Sequence, residues 1–152
     1  MPTLYIMRGL LGSGKSTKAK EIAEKTGAFI TSLDNMREYI AGSRDMWHSK
    51  PAIFKKVGNA IAQVQYSMIE LHLSNGEDVI VDNMNLRIPY LKKFKEIAKE
   101  YNANVKIVEM KEDWATLKER NKTRPIQERV NEDWLYMMYK TYNRLLLDGR
   151  FK

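Results

Sequence analysis

Apolar and polar positions follow two different periods along the chain. Short apolar runs predict strands at Leu4 to Met7, Ala28 to Ser32, Asp78 to Asp82 and Asn104 to Glu109. Between and after these runs, apolar residues recur at helical spacing in Ser16 to Lys25, Ile53 to Leu71, Tyr90 to Tyr101, Glu112 to Asn121 and Asn131 to Leu146. Because strands and helices alternate, the pattern predicts an α/β fold with a parallel sheet flanked by helices.

The helical segments differ in the apolar faces that they offer to a core. In the longest segment the expected buried residues are Ile53, Val57, Ala60, Ile61, Val64, Met68 and Leu71. In the last segment they are Trp134, Leu135, Met138, Tyr142 and Leu145. Gly27 is placed to end the first helix and Asn75-Gly76 the longest one, since glycine adopts the left-handed conformation that closes many helices.

A glycine-rich segment directly follows the first predicted strand and fits the pattern G-x-x-x-x-G-K-S/T. Glycines let backbone N–H groups converge on an anion, and the helix that follows directs its positive end at the same anion. The residues expected to contact nucleotide phosphates are Gly9, Gly12, Ser13, Gly14, Lys15, Ser16 and Thr17. Lys15 would supply charge for the outer phosphates and Ser16 an oxygen for magnesium. A purely structural glycine turn is the less favoured alternative.

Composition narrows the class of protein. The chain has 152 residues, of which 43% are hydrophobic, so we expect residues 1–152 to form one domain. It contains no Cys, which excludes disulfides, thiolate zinc sites and a cysteine nucleophile. No apolar run is long enough for a signal peptide or a membrane span, so we expect a soluble cytoplasmic protein without a membrane partner.

The net charge of +7 favours an anionic partner such as nucleic acid, although a solvated basic surface explains it equally well. One segment interleaves aromatic and basic residues that would form a wall for single-stranded nucleic acid: Trp47, His48, Phe54, Lys55 and Lys56.

Asp34 and Arg37 lie just past the second predicted strand. Ligands of open parallel sheets bind beyond the carboxyl ends of the strands. Phosphoryl transfer needs a group that accepts the proton of the nucleophile and cations near the transferred phosphoryl group, and these two residues suit those roles. In the alternative interpretation, Asp34 caps a helix and Arg37 pairs with it.

Asp82 closes the third predicted strand, where an acid typically holds a magnesium water ligand. The expected metal residues are therefore Ser16 and Asp82. Alternatively the Asp82 carboxylate caps the next turn, and Asn83 and Asn85 serve that turn as well.

Arg120 and Arg124 are four residues apart and would share one helical face, just before Pro125 disfavours further helix. A cationic segment beside such a break suits a lid that closes over ATP phosphates. A solvated basic helix end is the alternative, since Lys and Arg are common in last turns.

The order of these motifs resembles the P-loop 5′-hydroxyl polynucleotide kinases, the kinase domain of the phage-type polynucleotide kinase-phosphatases. The resemblance rests on G-L-L-G-S-G-K-S-T from Gly9, L-D-N-M-R from Leu33, V-I-V-D-N-M-N-L from Val79 and K-E-R-N-K-T-R from Lys118. It implies a P-loop kinase-type domain with a helical lid. The family's D-x-T-N pattern is Asp82-Asn83-Met84-Asn85 here, which leaves either Asp82 or Asn83 in the acidic position near the metal.

The resemblance also implies a role for each site residue. Lys15 and Ser16 would bind nucleotide phosphate and Mg²⁺, and Asp34 would be the general base on the acceptor 5′-hydroxyl. Arg37 would bind the phosphate next to that hydroxyl, and Arg120 and Arg124 would be lid arginines over the donor phosphates.

The implied function is Mg²⁺-dependent transfer of the ATP γ-phosphate to 5′-hydroxyl ends of DNA or RNA, as in nucleic acid end repair. One alternative is a small-molecule or nucleoside kinase on the same fold, because the fold does not determine the acceptor. Another is an ATP-dependent nucleic-acid-binding switch module, although such a module needs no acceptor base like Asp34.

Overall fold

The computed structural model describes residues 1–41 and 51–149, in which strands and helices alternate. The strands are β1 (Thr3–Arg8), β2 (Phe29–Thr31), β3 (Val79–Asp82) and β4 (Asn104–Glu109). The helices are α1 (Lys15–Thr26), α2 (Leu33–Ala41), α3 (Pro51–Ser74), α4 (Ile88–Glu100), α5 (Trp114–Thr123) and α6 (Glu132–Asp148), with a 3-10 turn at Ile126–Glu128. The predicted strands are all present, and β4 has its predicted bounds.

The strands form a parallel sheet in the order β2-β3-β1-β4, which confirms the predicted α/β class. Strands β1 and β3 are buried on both faces, as their continuous apolar runs require. Met7 pairs with Asp82, and Thr31 pairs with Val81, so three strands end nearly level. The segments that follow β1, β2 and β3 therefore meet at one edge of the sheet.

Apolar clusters pack on both faces of the sheet and beyond its carboxyl edge. The largest joins one face to α3 and α4, and includes Leu4, Ile6, Ile69, Val79, Leu91, Phe94 and Ile97. The opposite face packs on α1 through Met7, Ala19, Ala28 and Ile80. A third cluster, of Leu10, Leu86, Leu117, Leu135 and Tyr142, fixes α5 and α6 against the segments that follow β1 and β3.

The buried face of α3 differs from the predicted one. Val64 and Leu71 were expected inside but are 51% and 61% exposed. The buried stripe instead runs through Ile61, Gln65, Ile69 and Leu73, spaced four residues apart. Because a polar glutamine interrupts this stripe, counting apolar residues alone displaces the predicted face around the helix.

The start of α6 also differs from the prediction, since Trp134 is 37% exposed. Asn131 caps this helix by accepting a hydrogen bond from the Trp134 N–H at 3.0 Å. Leu135 and Tyr142 occupy the buried stripe, and Trp134, one position before Leu135, falls at its margin. The rest of the predicted face packs inward.

A buried ion pair connects the sheet to α6. Arg8 is only 3% exposed and pairs with Glu109, its register partner on β4. The Tyr142 hydroxyl donates a hydrogen bond to the same Glu109 carboxylate. Burial lowers the pKa of Arg8 and raises that of Tyr142. Apolar counting on β1 and α6 does not predict this polar contact.

None of the helices in the described ranges combines the length and apolarity needed to cross a membrane.

The largest cluster predicts where the fold is most sensitive to truncation. Phe94 is 1% exposed and lies edge-on to Tyr66, with ring centroids 5.8 Å apart. Phe94→Ala should lower the free energy of unfolding by about 3–5 kcal/mol, because it removes buried apolar contacts and leaves a cavity. Urea denaturation followed by circular dichroism measures this loss. The control Glu96→Ala, on the exposed face of α4, should stay within about 0.5 kcal/mol of the parent.

Candidate functional site

The loop between β1 and α1 has a backbone that favours glycine at Gly9, Gly12 and Gly14. A Cβ atom on Gly9 would lie 2.8 Å from the Met110 carbonyl oxygen and 2.8 Å from Ser13 Oγ. Gly14, the residue before α1, has φ 89°, in the left-handed region. Ser13 Oγ is buried and has no hydrogen-bond partner among the described residues. The predicted cradle is thus lined by backbone and a polar group that remain available to an anion.

Lys15 and Ser16 begin α1 and face the end of β3. Ser16 Oγ donates a hydrogen bond to Asp82 Oδ2 at 2.8 Å, and Lys15 Nζ lies 4.0 Å from Asp82 Oδ1. The side chains of Lys15 and Asp82 are only 12% and 9% exposed. Thr17 follows in the first turn of α1 and is exposed. The structure therefore brings the lysine and serine of the glycine-rich motif together with the predicted acid, Asp82.

Electrostatics connect Lys15 to residues from three further elements. Burial lowers the pKa of Lys15, and nearby Arg124 acts in the same direction. The carboxylates of Asp82 and Asp34 oppose this shift. Lys15 is therefore influenced by charges from β3, from α2 and from the end of α5, and the Asp82 carboxylate is the one that lies 4.0 Å from its Nζ.

The arrangement fits a P-loop Mg²⁺ ion. Such an ion takes a serine or threonine oxygen, a carboxylate, phosphate oxygens and water, and needs no cluster of protein acids. Ser16 and Asp82 supply the two protein groups, and Asp82 Oδ1 is buried without a hydrogen-bond partner in the described ranges. Consistent with that chemistry, those ranges hold no group of three or more His, Cys, Asp or Glu residues placed for a metal.

Asp34 and Arg37 lie on the first two turns of α2. Arg37 Nη1 donates a hydrogen bond to Asp34 Oδ1 at 3.2 Å, so the pairing expected by the alternative interpretation is present. The expected capping is not, because Ser32 precedes α2 and its Oγ accepts from the Asn35 N–H at 3.4 Å. The Asp34 side chain is 59% exposed, which leaves its carboxylate accessible at the edge of the sheet.

Arg120 reaches the phosphate loop from α5. Its Nη1 donates to the Gly12 carbonyl at 2.6 Å and lies 3.4 Å from Glu112. Arg124 directly follows the end of α5 at Thr123 and combines a helical φ of −72° with an extended ψ of 156°, so the chain changes direction after it. Pro125 disfavours helical conformation at the residue before it, which accounts for the change. Arg124 Nη1 is buried and has no hydrogen-bond partner within the described part of the chain.

Hydrogen bonds join the two ends of the connector between α5 and α6, residues 124–131. The Asn121 side chain donates to the Val130 carbonyl at 2.9 Å and accepts from the Val130 N–H at 3.1 Å. Inside the connector, Arg129 Nε donates to the Arg124 carbonyl at 2.6 Å. These bonds hold the segment that carries Arg124 in a defined position above the sheet edge.

The segment after β3 touches every part of the site. The Met84 carbonyl accepts from the Gly9 N–H at 3.2 Å. Asn85, buried and left-handed at φ 56°, donates to the carbonyls of Met7 and Val81. Asn83 points the other way, toward α2 and α3. Asp82 therefore lies beside the phosphate loop and Asn83 does not.

Gln65 is the site-edge residue that apolar periodicity misses. It is 1% exposed and bonds to the side chains of Asn83 and Thr31. The available signal was a glutamine at the four-residue spacing of Ile61 and Ile69, because a buried amide needs partners.

Part of the predicted aromatic and basic wall cannot be placed. Trp47 and His48 lie outside the described residues, and so does the side chain of Phe54. Lys55 and Lys56 are exposed on the first turns of α3.

The contacts of Lys15 predict how the loop binds a nucleotide. Lys15→Ala should weaken ATP binding about 10- to 100-fold, because a hydrogen bond to a charged group contributes about 1.5–3 kcal/mol. Calorimetric titration with ATP measures the change. The control Lys18→Ala removes an exposed lysine of the same helix, whose partner is Glu21 at 3.4 Å, and should leave affinity unchanged. Equal affinities for both variants would contradict a phosphate contact at Lys15.

Comparison with known sequences agrees with this geometry. A family model described as an AAA domain matches residues 4–145. The 2′,3′-cyclic-nucleotide 3′-phosphodiesterases of Rattus norvegicus and Mus musculus are each 34% identical to the chain over 125 residues, or 78% of it. That match covers 27% of each relative, so the chain spans about a quarter of their length.

Comparison with solved structures shows a shared fold. A chain of the Pnkp1/Rnl/Hen1 RNA repair complex matches with a TM-score of 0.80 and 20% identity, over 99% of this chain and 47% of that one. A gluconokinase from Sinorhizobium meliloti 1021 matches with a TM-score of 0.57 and 22% identity, over 92% of this chain and 74% of that one. From its family match, its phosphate loop and its sheet, the chain belongs to the AAA domain family and has the P-loop kinase fold.

Proposed function

We propose that this P-loop kinase-type protein transfers the γ-phosphate of ATP to the 5′-hydroxyl end of a nucleic acid. The observation that carries the proposal is the meeting of a phosphate loop with an accessible carboxylate. Asp34 acts electrostatically on the buried Lys15, yet its own side chain is 59% exposed. A donor-binding lysine and an accessible base that follow neighbouring strand ends at one edge of the sheet are what direct phosphoryl transfer requires.

The proposed chemistry assigns each bond change to a group in the site. The acceptor oxygen attacks the γ-phosphorus while its proton passes to the Asp34 carboxylate. The bond from the γ-phosphorus to the bridging oxygen breaks, and ADP leaves with the electron pair. Asp34 later releases the proton to water. The products are ADP and a 5′-phosphorylated end.

Cations around the transferred group supply the charge stabilisation. Lys15 and Arg124 would both contact the phosphates, since Arg124 acts electrostatically on Lys15 and its Nη1 is a buried donor with no hydrogen-bond partner among the described residues. Arg120, bonded to the Gly12 carbonyl, would support the loop and contact the donor phosphates. Mg²⁺ held by Ser16 and Asp82 would neutralise charge on the β- and γ-phosphate oxygens. Arg37 would bind the acceptor phosphate beside the hydroxyl.

Basic surface at the same edge supports a polymeric acceptor. Arg87 precedes α4 and is exposed, and Lys92 and Lys93 are exposed on the next turns. No acidic residue occurs from Asn83 to Lys95. Tyr90, 37% exposed, lies among these cations, so the surface combines backbone attraction with a stacking ring. The similarity to a chain of an RNA repair complex supports the same acceptor class.

A small-molecule kinase is the second candidate, supported by the shared fold with a gluconokinase. It would use the same Lys15, Asp82 and Asp34 with a compact alcohol as acceptor. The two candidates differ in how far acceptor recognition extends. A polynucleotide kinase also binds the nucleotides next to the reacting end, whereas a small-molecule kinase binds the alcohol alone.

Asp34→Ala should lower phosphate transfer about 10²- to 10⁴-fold and leave ATP affinity unchanged, because a general base contributes about that factor. Transfer is measured with γ-labelled ATP, Mg²⁺ and a single-stranded oligonucleotide carrying a 5′-hydroxyl. The neighbouring Asn35→Ala, exposed on the same turn, is the matched control and should transfer at the parent rate. A 5′-phosphorylated oligonucleotide and a panel of nucleosides and sugars complete the experiment. Label that reaches only the small alcohols would exclude the polynucleotide kinase.

The basic surface makes a separate prediction about salt. The double variant Arg87→Ala/Lys92→Ala should reduce the slope of log affinity against log salt by about 1.4, since each phosphate contact to a single strand contributes about 0.7. Fluorescence anisotropy of a labelled single strand, without ATP, measures it. The charge-matched control Lys20→Ala/Lys25→Ala, on exposed positions of α1, should keep the parent slope. Identical slopes in both variants would place the nucleic acid elsewhere.

A further inference from the structure

We propose that Asn83 is a positioning residue for phosphate transfer, and that Gln65 orients it. Its side chain holds the helix that carries Asp34 in a fixed relation to the strand that carries Asp82. The expected loss of kcat rests on the proposed transfer reaction. The expected loosening of the start of α2 rests on hydrogen bonds alone.

Asn83 and Gln65 form a reciprocal pair of side-chain amides. Asn83 Nδ2 donates to Gln65 Oε1 at 3.1 Å, and Gln65 Nε2 lies 3.5 Å from Asn83 Oδ1. Gln65 Nε2 also donates to Thr31 Oγ1 at 3.3 Å. Gln65 is 1% exposed and Thr31 2% exposed, so water cannot replace these partners. The pair therefore determines which way the Asn83 amide faces.

The orientation matters because Asn83 Oδ1 accepts a hydrogen bond from the Leu33 N–H at 3.0 Å. Leu33 is the first residue of α2, and the first N–H groups of a helix have no partner within the helix. Asn83 thus satisfies the start of α2 from a different part of the chain. Asp34 is the next residue of α2, so its backbone is tied to this contact.

The other end of the contact is the donor side of the site. Asn83 directly follows Asp82, which accepts the Ser16 hydrogen bond. Met84, the next residue, accepts from the Gly9 N–H at 3.2 Å. Three consecutive residues therefore contact the helix of Lys15 and Ser16, the helix of Asp34, and the first glycine of the phosphate loop. Breaking the middle contact separates the acceptor base from the donor loop without removing a group from either.

The hydrogen bonds of Asn83 indicate which replacement would keep its contact with α2. Gln65 Oε1 needs a donor, and the Asn83 Nδ2 group supplies it. A carboxylate at that position would still accept the Leu33 N–H, and Gln65 would meet it by rotating its amide so that Nε2 faces the carboxylate. Thr31 could then donate its hydroxyl proton to Gln65 Oε1. Asn83→Asp is consequently the conservative rescue variant.

The decisive experiment compares Asn83→Asp with the double variant Asn83→Leu/Gln65→Leu. The double variant replaces both amides by apolar groups of similar size, which preserves stability better than removing one partner. Because it still leaves the Leu33 N–H and the Thr31 hydroxyl without these partners, it should melt somewhat below the parent temperature but remain folded, and it should bind ATP as the parent does. Its kcat should fall on the order of a hundredfold, because misplacement of a reacting group by about 1 Å costs that much. Asn83→Asp should stay within a few-fold of the parent kcat.

Amide hydrogen exchange gives a readout that does not depend on any activity. In the double variant the Leu33 N–H should exchange faster than in the parent, while amides of the β1 core keep their protection. Thr31→Val, which removes only the outer bond of Gln65, should change Leu33 exchange and kcat much less. A parent-like kcat in a folded double variant would overturn the proposal, and so would unchanged Leu33 exchange.

The same variants separate this inference from the proposed function. If the parent phosphorylates a small alcohol and no oligonucleotide, the proposed acceptor is wrong. The kcat of the variants on that alcohol, together with Leu33 exchange, then decides the role of Asn83.

Discussion

The register between β1 and β3 is the constraint on which the site depends. Met7 pairs with Asp82, so the phosphate loop leaves one strand beside the point where the carboxylate leaves the next. Parallel strands in the order β2-β3-β1 place the loops that follow these three strands at one edge of the sheet. Ser16, Asp82 and Asp34 come from different parts of the sequence, yet Asp82 ends β3, Asp34 follows the end of β2, and Ser16 begins the helix that follows the β1 loop. A one-residue slip would move Leu4 and Ile6 from the face that packs on α3 and α4 to the face that packs on α1, so core packing favours the observed register.

The charges at this edge are arranged for an anion that arrives from outside. Lys15 is largely buried, and burial opposes its charge. Asp82 compensates only in part, at 4.0 Å, and Arg124 adds a second cation with a buried, unbonded nitrogen within the described ranges. Without a bound anion, these cations and the unbonded nitrogen are an unfavourable arrangement of groups. A polyphosphate would supply the charge and the hydrogen-bond acceptors that they need. Functional sites commonly hold such locally unfavourable charge, and the surrounding core offsets the cost.

Much of the fold and the site was predictable from the sequence, because strong local patterns carry both. Continuous apolar runs identify β1 and β3, and the glycine pattern identifies the phosphate loop. The buried face of α3 was wrong because Gln65 belongs to it, and a polar residue enters a core only when partners distant in sequence satisfy it. The buried ion pair between Arg8 and Glu109 was not predicted, for the same reason. The end of α5 before Arg124 was predictable as well, because Pro125 disfavours helical conformation at the residue before it.

The double hydrogen bond between Asn121 and Val130 determines where the connector between α5 and α6 can vary in length. It joins the two ends of the connector, so the chain between them is a closed loop on a rigid base formed by α5 and α6. The exposed tip, at Ile126, is therefore not needed to hold the two helices together. Loop closure costs little more as such a tip lengthens, since the entropy grows only with the logarithm of its length. The connector can therefore be lengthened or shortened at its tip while its two ends stay where they are.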